Sequence, residues 1–146
     1  MKAASSIFKI YSDTTRLRTL MLLSRAELCV CQIMGVLGVS QPLVSRNLSI
    51  LNNAGLLNER REGKLVFYSM RQKIEEPHAT IVDLIKKTSY DDKVFSLDLA
   101  SLADCMEYQQ KAGSCDMKTF LAYMKDRKSN PSAPAKPRPS SGRKTV

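Results

Sequence analysis

Two cysteines separated by one residue, Cys29 and Cys31, are the part of this sequence best suited to chemistry. Thiolates are the soft ligands that thiophilic ions select, and two of them so close along the chain form a ready chelate. A position near a helix N-terminus lowers the pKa of a thiol and favours the ligating thiolate. The pattern predicts a site for a soft metal or metalloid ion, although two buried core cysteines would show the same spacing.

These cysteines are predicted to lie at the start of a short helix over about residues 31–37, with Ile33, Val36 and Leu37 facing inward. Side chains two residues apart on a regular helix point about 200° apart. Joint ligation by both thiols is therefore expected to require local unwinding. Such unwinding would couple ion binding to the function of the next helix along the chain.

A second candidate site lies on that next helix, predicted over residues 41–53 with Pro42 in its first turn. Its apolar positions Val44, Leu48 and Leu51 follow helical spacing and would face the core. The opposite face carries hydroxyls, amides and one guanidinium, which pair with base edges and phosphates in a major groove. These outward residues are Ser40, Gln41, Ser45, Arg46, Ser49 and Asn53.

Beyond residue 55 the hydrophobic pattern changes from helical to strand-like. Residues 57–61 and 64–70 flank Glu62-Gly63, which is typical of a tight hairpin. Helix, turn, helix and basic hairpin predict a winged helix-turn-helix, a mainly α fold with a small β-hairpin wing that binds duplex DNA. The residues on or beside the hairpin tip that would reach phosphates or the minor groove are Arg60, Arg61 and Lys64.

The remaining elements are predicted to be helices that position these two sites. Residues 12–15 offer N-caps for a helix with Leu17 and Leu20 facing inward and with Arg16 and Arg18 facing away from the core. Later apolar stripes predict further helices. The predicted division is a DNA-binding domain with dimerisation helices over residues 1–90, a helical extension over 91–128, and a disordered basic tail over 129–146.

Charge is distributed unevenly along the 146 residues, which carry a formal net charge of +9. Residues 1–74 hold 11 basic and 4 acidic side chains. Residues 75–128 hold 8 basic and 10 acidic ones, and residues 129–146 hold 4 basic and no acidic ones. A basic first half predicts a polyanion partner. No apolar run is long enough for a membrane span or resembles a signal peptide, so we expect a cytoplasmic protein with reduced thiols and no membrane partner.

Between residues 7 and 70 the sequence resembles the ArsR/SmtB family of bacterial metal-responsive repressors. The resemblance is carried by residues 8–18, by the recognition-helix motif over residues 38–51, and by the exit and wing over residues 54–68. The family commonly has Pro where Thr14 stands, and often His where Asn47 stands. The resemblance implies a homodimer that represses transcription in its free state and leaves double-stranded operator DNA on binding its inducer.

Residues 27–31, Glu-Leu-Cys-Val-Cys, resemble the arsenic-sensing subgroup, which implies As(III) or Sb(III) as inducer through Cys29 and Cys31, without an organic cofactor. Relatives often place a third Cys where this chain has Met34, and a thioether is a poorer ligand for trivalent arsenic. A third sulfur could come from Cys105, from Cys115, from an external thiol, or not at all. Core packing for Cys105 and a free surface thiol for Cys115 are the alternatives.

The sequence also bears on other inducers and other functions. Zinc-sensing relatives use Asp and His clusters, whereas this chain has the single histidine His78, which is expected to be a surface or capping residue. Cadmium and lead are soft ions that the thiols would also bind, and a thiol-redox switch is a further alternative, although a Cys-x-Cys disulfide is geometrically awkward. No Cys-x-x-Cys motif or nucleophile pattern is present, so we expect no enzyme.

Overall fold

The computed structural model describes residues 1–112 and 116–131 as seven helices and three short strands. None of the described helices is long and apolar enough to cross a membrane. The predicted fold class, mainly helical with a small β-hairpin, is confirmed. In chain order the elements are α1 (Lys2–Tyr11), α2 (Thr14–Leu23), β1 (Leu28–Cys29), α3 (Val30–Leu37), α4 (Gln41–Asn53), β2 (Leu57–Glu62), β3 (Leu65–Met70), α5 (His78–Ser89), α6 (Lys93–Ala112) and α7 (Met117–Ser129).

Two parts of the predicted organisation lie outside the described residues. Cys115 is one of them, and residues 132–146 of the tail predicted over 129–146 are the other. Ser129, predicted as the first residue of that tail, is instead the last residue of α7. Residues 91–128 contain α6 and α7, which share the hydrophobic core of the preceding elements through Phe95, Leu102, Phe120 and Met124. The helical extension therefore packs on the domain that it follows.

The core forms where α2, α3 and α4 meet. Leu20, Ile33 and Val44 are completely buried there, and the burial of apolar area of this kind is the main driving force of folding. The start of α2 is set by Asp13, whose Oδ1 accepts a hydrogen bond of 2.8 Å from the backbone N–H of Arg16. Helix α4 has the predicted bounds, with Val44, Leu48 and Leu51 buried.

Arg16 is buried, so the prediction that it faces away from the core is wrong. Its guanidinium donates to the carbonyl oxygens of Lys9 and Ile10, both at 3.0 Å, and to Oδ1 of Asn47 at 3.3 Å. A buried guanidinium persists only when its donors have acceptors, and the carbonyls at the end of α1 supply them. Arg16 thereby ties α1 and α2 to α4.

The three strands form one antiparallel sheet in the order β1-β3-β2. The hairpin turn lies one residue later than predicted, at Gly63-Lys64, where Gly63 has a φ of 60°. A positive φ at the first central position is typical of a type II′ hairpin turn and favours glycine. Strand β1 was not predicted, and its pairing of Cys29 with Phe67 attaches the thiol segment to the wing.

Helices α6 and α7 cover the outer face of α3. Phe120 of α7 is completely buried and lies so close to Gly35 that a Cβ atom on Gly35 would be 2.6 Å from its Cε1. Arg127 of α7 pairs with Asp104 of α6 at 2.8 Å. By contrast, α5 makes only sparse contacts with the other described elements.

Candidate functional site

The thiols of Cys29 and Cys31 lie side by side, with their Sγ atoms 3.2 Å apart. Cys29 is the N-cap of α3, with extended backbone angles of φ −89° and ψ 171°, so its side chain is not constrained to helical spacing. The prediction that joint ligation needs local unwinding is therefore wrong. Sulfur ligands lie about 2.3 Å from an ion such as zinc, so two of them must lie within about 4.6 Å of each other. The pair satisfies that limit.

Gln32 holds Cys29 in this cap position. Its side-chain oxygen accepts a hydrogen bond of 2.8 Å from the backbone N–H of Cys29, and the Gln32 side chain is itself buried. This is the capping-box arrangement with cysteine in place of serine or threonine. Sequence reasoning missed Gln32, although a glutamine three residues after a cap residue is the signal that identifies it.

The local hydrogen bonds favour a thiolate at Cys29. A hydrogen bond from Cys31 is the largest cause that lowers the pKa of Cys29, to about 6. Burial opposes the shift, and hydrogen bonds from the backbone N–H groups of Gln32, Cys31 and Cys29 itself add to it. Thiolate is the species that binds soft ions, so the site is prepared for ligation at neutral pH.

Additional ligands are sparse around this pair. Within residues 1–112 and 116–131, no three His, Cys, Asp or Glu side chains come together as a metal site. Cys105 is completely buried on α6, in the hydrophobic core, and Met34 is partly buried against that core. Among the described residues, the candidate site for a soft ion is therefore the thiol pair alone.

His78, the single histidine, lies at the first position of α5 and is hydrogen-bonded through Nδ1 to the hydroxyl of Tyr11. The two rings are in contact, with their centroids 5.7 Å apart. Burial raises the pKa of Tyr11 to about 12, so its hydroxyl keeps its proton. This contact joins α5 to α1 and gives His78 a structural role.

The candidate DNA-reading face lies along α4 and its N-cap. Asn47, in contrast, is buried: its oxygen accepts from Arg16, and its Nδ2 has no hydrogen-bond partner among the described residues. The side chain of Asn47 therefore holds α4 against α2 instead of facing DNA. All six residues predicted to face outward are exposed to solvent, namely Ser40, Gln41, Ser45, Arg46, Ser49 and Asn53.

The wing carries the remaining predicted DNA contacts. Arg61 and Lys64 are exposed on the hairpin. Arg60 lies over the ring of Phe67, 4.8 Å from its centroid, and pairs with Glu27 at 2.7 Å and with Glu62 at 2.9 Å. Arg61 and Lys64 therefore have no hydrogen-bond or ion-pair partner among the described residues, whereas Arg60 pairs with Glu27 and Glu62.

The thiol pair and the DNA-reading face are connected through short elements. Cys31 lies in the first turn of α3, and α3 ends at Gly38, whose φ of 68° is the left-handed conformation that favours glycine. Ser40, the N-cap of α4, follows two residues later. On the other side, Cys29 pairs with Phe67 of β3. A displacement at the thiols would thus act on the reading helix and on the wing.

A helix-turn-helix with a short antiparallel wing and a thiol pair at the start of its first helix defines a winged helix-turn-helix regulator. Residues 13–59 match the model of the bacterial regulatory proteins of the arsR family. The chain is similar to the arsenical resistance operon repressor of Escherichia coli, with 45% identity over 78 residues, 53% of this chain and 67% of that protein. The chain belongs to the ArsR family.

Further relatives agree with this assignment. The arsenic resistance transcriptional regulator ArsR1 of Pseudomonas putida is 36% identical over 112 residues, which cover 75% of this chain and 84% of that protein. A CadC homolog of Staphylococcus aureus, named a cadmium resistance transcriptional regulatory protein, is 40% identical over 45% of this chain and 55% of that protein. Among solved structures, reduced HlyU of Vibrio cholerae is similar with a TM-score of 0.51 and 27% identity, covering 60% of this chain and 90% of that chain.

Membership of this family makes the chain a DNA-binding transcriptional repressor. The expectation that it is no enzyme is confirmed, because the proteins of this family are transcriptional regulators. The similarity to relatives named for arsenic and for cadmium resistance indicates an inducer among metal and metalloid ions.

Proposed function

We propose that this repressor binds its operator as a homodimer and releases it when trivalent arsenic or antimony binds to Cys29 and Cys31. The observation that supports this most directly is the 3.2 Å separation of the two sulfur atoms at the cap of α3. Both thiols are buried, so a small ion with a preference for sulfur suits them better than a bulky ligand. Two similar proteins named for arsenic resistance support this choice.

Release is proposed to follow from the two attachments of the thiol pair. Bonds from both sulfur atoms to one ion would fix the last residue of β1 against the first turn of α3. Because β1 is paired with the wing and α3 packs on α4, this constraint disfavours the arrangement that fits the groove. Part of the free energy of ion binding at the thiols is thereby spent on this change, and the affinity for the operator falls.

The number of sulfur ligands is a separate part of the proposal. Cys105 on α6, Cys115 and an external thiol are the alternatives for a third ligand, and a two-cysteine site completed by solvent is the fourth. Cadmium and lead are competing inducers because both are soft, and one relative is named for cadmium resistance.

The homodimer is proposed to form through α1 and α5. Helix α5 is sparsely covered by the rest of the chain, and Leu84 on it is 64% exposed. Phe8 on α1 is 66% exposed, and the Tyr11–His78 contact places the two helices together. Residues 1–90 are proposed as a DNA-binding domain with dimerisation helices, and residues 91–128 as a helical extension whose last helix, α7, ends one residue later at Ser129. We also propose a cytoplasmic location, where operator DNA is accessible.

Arsenite is expected to release the full-length protein from operator DNA, whereas zinc at the same concentration is not. The physical reason is that the described residues offer two clustered thiols and no Asp or His cluster for zinc. Fluorescence anisotropy of a labelled operator duplex, with increasing arsenite, antimonite, cadmium or zinc, measures this directly. Release by zinc alone would exclude the proposed inducer class.

Substitution of Arg46 and of Lys64 is expected to weaken DNA binding in two different ways. Arg46 is exposed on α4, so Arg46→Ala should cost about 1–3 kcal/mol on the operator and little on random duplex, as the loss of a base contact does. Lys64→Ala should weaken both and reduce the slope of log K against log salt by about one. Binding of both variants to an inverted-repeat operator, with sedimentation to confirm a dimer, tests this. Equal losses on both duplexes for Arg46→Ala would contradict a base-reading role.

A further inference from the structure

Arg16 is a buried cation on α2 whose hydrogen bonds reach two other helices. Its Nη1 donates to the backbone carbonyl oxygens of Lys9 and Ile10, both at 3.0 Å, and its Nε donates to Oδ1 of Asn47 at 3.3 Å. Arg16 is only 9% exposed and Asn47 only 1%. Hydrogen bonds from a charged donor are strong and directional, and water competes poorly for them in a buried site. These bonds therefore fix the end of α1 and the side of α4 relative to α2.

The bond to Asn47 reaches the candidate DNA-reading helix directly. Asn47 follows Arg46, which is exposed on the reading face of α4. Helices α1 and α4 both pack on α2 but have few direct contacts with each other. Among the hydrogen bonds of the described residues, those of Arg16 connect α1 with α4. The position of α4 relative to α1 thus depends on one guanidinium.

The other end of this connection lies at the proposed dimer interface. Tyr11, the last residue of α1, is hydrogen-bonded to His78, the first residue of α5. Phe8 on α1 and Leu84 on α5 are exposed and belong to the surface proposed to pair two protomers. A series of hydrogen bonds therefore leads from that surface, through α1 and Arg16, to the reading helix.

The separation of the two reading helices determines which operators a dimer accepts. Half-sites lie about 34–36 Å apart, one helical turn, or a multiple of that distance. One inserted base pair moves the second half-site by about 3.4 Å and rotates it by about 35°. A dimer whose α4 helices are held rigidly to the interface cannot engage both half-sites of such a duplex. A dimer whose α4 helices are held loosely can follow the change.

We propose that Arg16 is a positioning residue that fixes α4 to the dimer interface and thereby sets the half-site spacing that the repressor accepts. Arg16 is buried and acts through Asn47 on the outward residues of α4, such as Arg46. The inference rests on the proposed function, because it requires a homodimer on an inverted-repeat operator.

Arg16→Met and Asn47→Leu test this role, because each removes polar atoms at nearly constant side-chain size. Asn47→Leu breaks the link to α4 alone and leaves the bonds from Arg16 to α1, so it provides a folded variant if Arg16→Met does not fold. The measurement is the fluorescence anisotropy of two labelled duplexes, an inverted-repeat operator and the same operator with one base pair inserted between its half-sites. The parent protein should bind the second duplex at least about tenfold more weakly, because simultaneous engagement of both half-sites is lost.

Both variants are expected to bind the operator itself more weakly and to distinguish the two duplexes by no more than about twofold. Asn47→Asp keeps an oxygen acceptor for Arg16 and should restore the preference of the parent protein. Retention of the full tenfold preference by a folded, dimeric Asn47→Leu or Arg16→Met variant would overturn the positioning role.

Arg18→Met is the matched control on the same helix. Arg18 donates two hydrogen bonds of 2.8–2.9 Å to Asp98, which is buried on α6, so its loss also destabilises the fold but does not touch α4. This variant should keep the spacing preference of the parent protein, and its loss there would mean that any destabilisation of α2 removes the preference. A parent protein that is monomeric, or that binds operator and random duplex equally, would instead overturn the proposed function.

Discussion

Cys29→Ser and Cys31→Ser are each expected to abolish release of the operator by arsenite while leaving DNA binding by the ion-free protein intact. A hydroxyl is similar in size to a thiol, and serine is a favoured residue at the N-cap position that Cys29 occupies, but a hydroxyl is not a soft ligand. With one thiol remaining, the chelate formed by two sulfur atoms 3.2 Å apart is lost. The measurement is the fluorescence anisotropy of a labelled operator duplex as arsenite is added. We expect the arsenite concentration at half-release to rise at least a hundredfold, or no release at all.

Gln32→Glu and Cys105→Ser extend this experiment. Gln32→Glu keeps an acceptor for the N–H of Cys29 but places a negative charge beside the thiolate, so DNA binding should persist while the arsenite midpoint rises. Loss of the response in Cys105→Ser or Cys115→Ser identifies a third sulfur ligand, and loss in neither indicates a two-cysteine site. The redox alternative replaces the proposal if two results are found together. Peroxide, but not arsenite, releases the parent protein from the operator, and the Cys29→Ser variant remains fully inducible.

The recognition helix and the wing could be predicted from the sequence because their signals are local. Pro42 at the start of α4, the apolar spacing of Val44, Leu48 and Leu51, and Gly55 after its end determine a helix without reference to the rest of the chain. The predicted and observed bounds agree. The hairpin was displaced by one residue only, because Gly63 takes the turn position that needs a positive φ.

The geometry of the thiol pair could not be predicted, because it depends on where α3 begins. A start at Val30 makes Cys29 a cap residue with an extended backbone, whereas a helix that included both cysteines would separate their side chains by about 200°. The two-residue strand β1, which holds Cys29 in that extended backbone, has no hydrophobic period to reveal it. A difference of one residue at a helix boundary thus decides whether the thiols meet.

Long-range pairings were the other part that sequence patterns missed. Arg16 was assigned to the surface by its charge, but its partners are the carbonyls at the end of α1 and Asn47 on α4, far apart along the chain. The bidentate pair of Arg18 with buried Asp98, at 2.8–2.9 Å, joins residues 80 positions apart. Only the packed fold brings such partners together, so composition and spacing do not indicate them.

Phe120→Ala is expected to produce the largest loss of stability among single substitutions on α7. The ring is completely buried between α3 and α6, and truncation of a buried Phe to Ala typically costs about 3–5 kcal/mol. Met117→Ala on the same helix removes a side chain that is 44% exposed, and should cost much less. Denaturant unfolding at one fixed protein concentration, which matters for a dimer, compares the two. Similar losses for both variants would mean that α7 is not seated on α3 as described.

Gly35 provides an independent test of the same contact from the other side. A methyl group at this position would lie 2.6 Å from Cε1 and 2.8 Å from Cζ of Phe120, so Gly35→Ala should destabilise the protein by about 1–3 kcal/mol through overpacking, despite the better helix propensity of alanine. Phe120→Leu removes those two ring atoms, so the double variant should be more stable than the sum of the single changes predicts, by at least about 0.5 kcal/mol. If the two single changes in the free energy of unfolding simply add in the double variant, Phe120 of α7 does not contact position 35 as described. Gly35 lies on α3, between the thiol pair and the turn before α4. A double variant that is more stable than the sum of its single changes would therefore also show that α7 packs on, and supports, the helix through which the thiols are proposed to act on DNA.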